Sequence, residues 1–241
     1  MTRADEIAAN LGRVRERVQA ALAAAKRPEA SVTLLAVSKT VAPDDIVAAL
    51  AAGQLDFGES YGQELRDKHR ALAERPQSAS GLPAPRWHFI GPLQSNKVKY
   101  VAGKVALVHS VGSLDVLSAI DAKAAALGVV QDCLIQVNVA GESQKSGIAP
   151  LSLPEILNSF ASRQHVRCRG LMVIPPYDED PEASRPHFIA LRRLQDDERK
   201  KTRPNVTLDE LSMGMSHDLE TAIAEGATIV RVGTAIFGER T

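Results

Sequence analysis

The sequence predicts an α/β protein, a (β/α)8 barrel forming a single domain with an extra helix ahead of its first strand. Three observations carry that expectation. Short β-branched apolar runs alternate with longer helical stretches along almost the whole chain, with no linker between halves. The strands so identified number eight, enough to close a parallel sheet on itself. The runner-up is an open doubly wound sheet, but no Gly-x-Gly-x-x-Gly follows a strand to mark a dinucleotide crevice.

The extra helix covers residues 3–25 and ends in the alanine-rich stretch 20–25. The first strand, residues 32–39, is an apolar run that ends on a lysine. Pro43-Asp44-Asp45 opens the next helix, 44–52, with negative charge at its N-terminus, and Gly53 sits where a helix-ending glycine belongs. The following strand–helix pairs are 55–59 with 61–74, 87–91 with 95–102, and 105–111 with 114–127, the last closed by Gly128. A polar Pro/Ser/Gly stretch, 76–85, reads as a surface loop because a strand follows directly. Strands 133–139 and 167–174 precede helices 153–162 and 183–200. Strand 208–213, helix 217–225 with Ser216 as its N-cap and Gly226 behind it, and strand 228–234 complete the set.

Composition narrows the function classes. The 241 residues carry 29 Lys+Arg against 29 Asp+Glu, a balance without the basic excess of a dedicated nucleic-acid binder. Hydrophobic residues at 44% and charged residues at 24% are those of a soluble globular chain, and aromatics at 4% argue against an all-β sandwich. Residues 1–10 include Arg3, Asp5 and Glu6, so they form no signal-peptide core, and no uncharged apolar run reaches membrane-span length. A soluble, unexported, cytoplasmic protein is expected. Cys133 and Cys168 match neither a zinc nor a redox spacing and read as buried, reduced thiols.

In a barrel the active face lies where strands end, so polar residues there are the first candidates. Lys39 ends the first strand. It either snorkels to solvent or is a desolvated amine able to attack an aldehyde and form a Schiff base. Leu211-Ser212-Met213-Gly214-Met215-Ser216 and Gly233-Thr234-Ala235-Ile236-Phe237-Gly238 end strands seven and eight. Each is a plain turn or half of a phosphate site, in which glycines admit backbone amides to an anion and hydroxyls add donors. Asp218, in the first helical turn, would repel a phosphate if turned towards it. Arg231 sits inside a strand that reads as buried, and a buried guanidinium must be paired. Its partner is an acidic side chain or a ligand such as a pyridine nitrogen, which the ever-charged guanidinium would leave unprotonated. His88 and His109 are core residues or general bases. Gln94, Asn96, Lys97 and Lys99 form an anion site or a solvated helix start, and the charges from Arg192 to Arg203 read as a solvated face.

Several blocks together resemble a known family. They are Leu35-Ala36-Val37-Ser38-Lys39-Thr40, Phe57-Gly58-Glu59-Ser60-Tyr61-Gly62-Gln63-Glu64, and His88-Phe89-Ile90-Gly91-Pro92-Leu93-Gln94-Ser95-Asn96-Lys97. Gln136-Val137-Asn138 with Lys145-Ser146-Gly147, Arg169-Gly170-Leu171-Met172, Leu211 to Ser216 and Val230 to Gly238 continue the series in order. The chain resembles the pyridoxal phosphate homeostasis protein family. That resemblance implies a single-domain barrel like the N-terminal domain of fold-type III enzymes such as alanine racemase, with pyridoxal 5′-phosphate held as a Schiff base on Lys39. It further implies that Arg231 faces the pyridine nitrogen, that Ser212, Gly233 and Thr234 hold the phosphate, and that Met213 and Ser216 line the same pocket. Ser60 departs from the family's Phe-Gly-Glu-Asn-Tyr pattern, and its shorter hydroxyl is expected to lose a polar contact on that side of the cofactor.

Two functions follow from the resemblance. One is a carrier that limits free reactive aldehyde and influences its supply to pyridoxal-phosphate-dependent apo-enzymes, without catalysis of its own. The other is a racemase-like enzyme acting on amino acids. Racemisation needs an acid/base group on each face of the substrate carbon, which alanine racemases complete with a second domain. This sequence stops at Thr241, just after the eighth strand, so a non-catalytic monomer is expected.

Overall fold

A computed structural model describes residues 1–74, 81–142 and 146–239. Eight parallel strands close into a barrel in sequence order: β1 Thr33–Val37, β2 Asp56–Glu59, β3 Arg86–Phe89, β4 Leu107–Val111, β5 Gln131–Gln136, β6 Val166–Met172, β7 Val206–Ser212 and β8 Ile229–Val232. Pairing of β1 with β8 closes the ring and sets Leu35 beside Arg231. The α-helices are α1 Arg3–Ala24, α2 Pro43–Ala51, α3 Gly62–Ala73, α4 Leu114–Leu127, α5 Leu153–Asn158, α6 Arg185–Arg199, α7 Leu219–Ala224 and α8 Thr234–Phe237. No helix among the described residues is long and apolar enough to cross a membrane.

All eight expected strands are present, and the helical positions differ in five places. Residues 95–100 form a 3-10 helix rather than an α-helix. The stretch expected at 153–162 is α5 followed by 3-10 turns at Ser159–Ser162, and α6 is preceded by a 3-10 turn at Pro181–Ser184. Ser216 is not an N-cap: α7 starts at Leu219 after Asp218, whose carboxylate accepts the Met215 N–H at 2.6 Å and holds residues 215–218 as a turn. Finally, α8 begins where the eighth strand was expected to continue. Residues 76–80 of the expected loop, Lys145 and the last two positions lie outside the described residues.

Two apolar layers fill the fold. Outward-facing strand residues such as Phe57, Phe89, Val108, Ile135, Leu211 and Val230 pack against the helices in one continuous core. Inside the barrel lies a smaller cluster of Leu35, Leu107, Leu134, Met172 and Ile229, with Ile90 against it. The glycine at 58 keeps this interior closed, since a Cβ there would stand 3.1 Å from both Ile90 and Leu35 side chains.

The extra helix is an integral wall. A capping box between Thr2 and Asp5 starts α1, and Ile7, Leu11, Val14, Val18 and Leu22 give it one buried stripe. Its polar residues then reach the segments that follow β7 and β8. Asn10 Nδ2 donates to Ile236 O at 2.9 Å, Arg3 Nη2 to Phe237 O at 2.6 Å, and Arg17 Nη2 to Ser216 O at 3.0 Å.

Candidate functional site

The C-terminal ends of β1, β7 and β8 bring the sequence candidates to one mouth of the barrel. Lys39 lies two residues beyond β1, half-buried, in a turn whose next residue, Thr40, has φ +62°. Both flanks of that turn are held by side chains from β2 and α3. Lys68 Nζ donates to Ser38 O at 2.5 Å, to Glu59 Oε1 at 2.9 Å and to Glu64 Oε1 at 2.6 Å. Ser38 Oγ donates to Glu59 Oε1 at 2.6 Å, and the Thr40 N–H donates to Glu64 Oε1 at 2.5 Å. Burial pushes the Glu59 carboxyl above its ordinary range, although the Lys68 charge and the hydrogen bonds from Ser38 and Lys68 act the other way. A buried ion cluster of this kind specifies geometry more than it adds stability. Here it fixes the backbone that carries Lys39.

Arg231 is 4% exposed, and neither of its partners is acidic. Nη1 donates to Ser212 Oγ at 2.7 Å and Nη2 to Val173 O at 2.9 Å. No carboxylate among the described residues forms an ion pair with it, so the acidic-partner alternative does not hold. Burial lowers the guanidinium to about 10, with the charge of Asp218 pulling the other way, and it stays charged at neutral pH. Its two hydrogen bonds leave donor capacity for a ligand acceptor.

Ser212 is fully buried, and its hydroxyl also lies 2.9 Å from His109 Nδ1. His109 Nε2 is 2.9 Å from His88 Nδ1, and His88 Nε2 is 2.9 Å from Asp56 Oδ1. Both histidines are therefore hydrogen-bonded residues of the barrel interior. Burial, together with the charges of His88 and Arg231, holds the His109 imidazole well below its ordinary value.

The β7 and β8 ends present accessible hydroxyls. Ser216 is half-buried and Thr234 exposed, with Gly233 buried behind it as the N-cap of α8. Gly214 takes φ +91° and a Cβ there would stand 2.5 Å from Ala222 Cβ, so only glycine lets this loop lie against α7. Asp218 is turned back into its own loop, accepting from Met215 N and from Ser184 Oγ at 2.9 Å. Met213, expected to line the pocket, is fully buried in the core between strands and helices with Leu211 and Val230. Strand alternation turns it away from the barrel interior that Ser212 faces. Ser60 follows β2 directly and is half-buried, with its backbone so close to Gly91 that a Cβ on Gly91 would stand 2.1 Å from Ser60 O.

Other candidates fall outside this group. Gln94, Asn96, Lys97 and Lys99 are exposed, Lys99 lying over the Tyr100 ring. The stretch from Arg192 to Arg203 is only partly the solvated face expected: Arg199 with Asp209 and Lys200 with Asp197 pair at the surface, whereas Arg192 and Lys201 reach the buried Glu225 and Glu198, and Arg203 pairs with Glu198 in a buried contact. Cys133 and Cys168 are free and buried, and burial raises both thiols, Cys168 to about 12. Sequence reading missed Asp56, Glu59, Glu64 and Lys68. Asp56 and Glu59 are the charged ends of a short strand, and Glu64 and Lys68 stand four apart on the next helix, where such a pair looks like an ordinary solvated face.

A closed barrel with a lysine after its first strand, an arginine on its eighth, and glycine-hydroxyl turns after the seventh and eighth defines a barrel of the alanine racemase N-terminal class. The family model "Alanine racemase, N-terminal domain" matches residues 3–241. Among curated relatives, the pyridoxal phosphate homeostasis protein of Aquifex aeolicus is 46% identical over 230 residues, 95% of this chain and 96% of its own. That of Escherichia coli K12 is 41% identical over 98% of this chain and 97% of its own. The solved structure of PipY from Synechococcus elongatus with pyridoxal phosphate bound is 35% identical, with a TM-score of 0.82 over 96% of this chain and 100% of that one. Alanine racemase of Clostridium difficile, 14% identical with a TM-score of 0.68 over 98% of this chain and 57% of its own, shares the fold. The chain belongs to the pyridoxal phosphate homeostasis protein family.

Proposed function

We propose that this protein binds pyridoxal 5′-phosphate at the barrel mouth through Lys39 and serves the intracellular homeostasis of that cofactor. The observation that carries the reading is Arg231: a buried cation fixed by a hydroxyl and a carbonyl, with no carboxylate among the described residues paired to it, on the strand adjacent to the one that leads into Lys39. Such a site fits a ligand with a ring acceptor, and an amine beside it fits an aldehyde. When bound, the cofactor supplies a reactive carbonyl conjugated to an electron-withdrawing ring.

In this reading Lys39 holds the aldehyde carbon, and its turn is kept rigid by Lys68, Glu59 and Glu64. Arg231 donates to the ring nitrogen and leaves it unprotonated. Ser216, Gly233 and Thr234 hold the phosphate through hydroxyls and backbone amides, supported from behind by α1. Ser212, already engaged by Arg231 and His109, orients the guanidinium beneath the phosphate turn. Met213 contributes backbone only, and Ser60 borders the pocket.

The protein would act as a carrier rather than a catalyst, as a cytoplasmic monomer that passes cofactor to pyridoxal-phosphate-dependent apo-enzymes. An unprotonated ring is the weaker electron sink, which favours storage over amino-acid chemistry. The test is a spectral titration with pyridoxal phosphate followed by incubation with a broad amino-acid panel. The reading expects a bound-cofactor band that Lys39→Ala abolishes, and no sustained turnover of either enantiomer. A wild-type protein that stays colourless would sink the binding claim, and turnover would sink the carrier claim.

A further inference from the structure

The hydrogen bonds of Arg231 do not stop at Ser212. They continue through the barrel interior, from the last residue of β7 to the first residue of β2: Arg231 to Ser212, Ser212 to His109, His109 to His88, and His88 to Asp56, each between 2.7 and 2.9 Å. Every member of this chain is buried, with Ser212 and His109 at 0% exposure. At the far end Arg86, itself exposed, binds both oxygens of Asp56. There the strand starts open into a cavity of about 270 Å³, lined also by Asp132, Arg169 and Glu210. A polar line thus crosses a barrel otherwise filled by Leu35, Leu107, Leu134, Met172 and Ile229.

The chemistry of the members dictates its direction. An ionised carboxylate only accepts, so the proton on His88 must sit on Nε2. A neutral His88 then accepts at Nδ1, which places the His109 proton on Nε2. A neutral His109 accepts at Nδ1, so the Ser212 hydroxyl donates to it. Ser212 Oγ is left to accept from Arg231, which can only donate. All links therefore point one way, from the guanidinium at the mouth to the carboxylate at the base. A proton added to His88 at Nδ1 reverses the two middle links: His88 donates to His109 Nε2, the His109 proton moves to Nδ1 and donates to Ser212, and the Ser212 hydrogen is turned away from His109.

We infer that Asp56, His88, His109 and Ser212 are positioning residues for Arg231: a directional hydrogen-bond relay that carries the protonation state of the Asp56–His88 pair at the barrel base to the cofactor pocket. The inference rests on the reading of Arg231 as the residue that meets the cofactor ring. Charges facing the pair are Arg86 on β3, Asp132 on β5, Arg169 on β6 and Glu210 on β7. Arg86 is taken up by Asp56, Arg169 lies 3.7 Å from Asp132, and Glu210 accepts from Thr228 Oγ1. Burial opposes the Asp56 charge, but the hydrogen bonds and charges of His88 and Arg86 prevail and hold its carboxyl below the ordinary value. The carboxylate end of the relay therefore stays ionised at neutral pH.

The test is nitrogen NMR of the histidine side chains in the full chain, first without cofactor. At pH 8 the relay predicts the Nε2–H form for both His88 and His109. On acidification, His109 changes to the Nδ1–H form in the same step in which His88 takes a proton. Asp56→Asn keeps the shape but removes the charge, and should move that shared step to lower pH by about one unit, although Asp56 does not touch His109. If that variant does not fold, Ser212→Ala cuts the other end, and His109 should keep the Nε2–H form at pH 8 because His88 Nδ1 still requires that proton; a mixture of tautomers in this variant overturns the relay. A His109 in the Nδ1–H form at pH 8, or one indifferent to the His88 step, overturns the relay. With pyridoxal phosphate added, the bound-cofactor band should shift at the same pH as the NMR step. A band with no such shift also overturns it, whereas absence of any band defeats the binding proposal and leaves the NMR result to decide the relay.

Discussion

Lys68 Nζ donates to the backbone carbonyl of Ser38 at 2.5 Å, so a lysine on α3 holds the peptide unit that leads into Lys39. The same ammonium gathers Glu59 and Glu64, and Glu64 takes the Thr40 N–H on the other side of the turn. One buried cation thus organises the four groups that set the direction in which Lys39 leaves β1.

Lys68→Met removes that cation and leaves Glu59 buried opposite Glu64. Breaking a buried ion pair by deleting one partner costs about 3–5 kcal/mol, and protonation of Glu59 recovers part of this. A urea midpoint lowered accordingly, and weaker pyridoxal phosphate binding, are expected. Adding Glu59→Gln should restore stability but not affinity, since the Ser38 carbonyl stays unheld.

Stability should fall on mild acidification because of His109. Its folded value lies well below the 6.5 of an unfolded histidine. Between those two values the unfolded chain binds a proton that the folded protein does not, so stability is full above pH 6.5 and declines as pH drops through it. The slope reaches at most about 1.4 kcal/mol per pH unit for one group. Tm measured from pH 8 to pH 5 should show this decline, and His109→Gln should flatten it.

Arg231→Lys keeps the charge but cannot span Ser212 and the Val173 carbonyl together. Loss of a charge-assisted hydrogen bond costs about 1.5–3 kcal/mol, which corresponds to at least a tenfold loss of cofactor affinity if the guanidinium meets the ring. A spectral titration reads both affinity and band position. No change in either removes the assignment of Arg231 to the ring nitrogen.

Thr234→Val deletes one hydroxyl from the turn assigned to the phosphate and keeps side-chain volume. Affinity for pyridoxal phosphate should fall about fivefold to tenfold, roughly the worth of one hydrogen bond, while binding of unphosphorylated pyridoxal should not change. Equal losses for both ligands would place the phosphate elsewhere.

The barrel was legible because each strand is a β-branched run set off by turn residues and followed by a helical period, a local signal that needs no knowledge of contacts. Lys39, Ser216, Arg231, Gly233 and Thr234 could be picked out as candidates because they lie at strand ends next to apolar runs. What escaped reading was orientation and long-range pairing. Met213 lies one residue from Ser212 and faces the opposite side of β7, a difference that a small shift in the assumed strand phase hides. Arg231 calls for a partner, an acidic side chain or a ligand, and the partners it has in the protein are a serine on β7 and a backbone carbonyl after β6, neither of which has a sequence signature. Glu59 and Lys68 look like exposed charges until α3 packs against β2. The short α8 is not read at all in the sequence, and its first residue, Thr234, reads as the end of the strand because a β-branched residue favours extended backbone in isolation.

The most direct test of the account is to load the full chain with pyridoxal phosphate, reduce it with borohydride, digest it and locate the modified residue by mass spectrometry. The account predicts a single stoichiometric adduct on Lys39. Stoichiometric label on another lysine with Lys39 unmodified would contradict it.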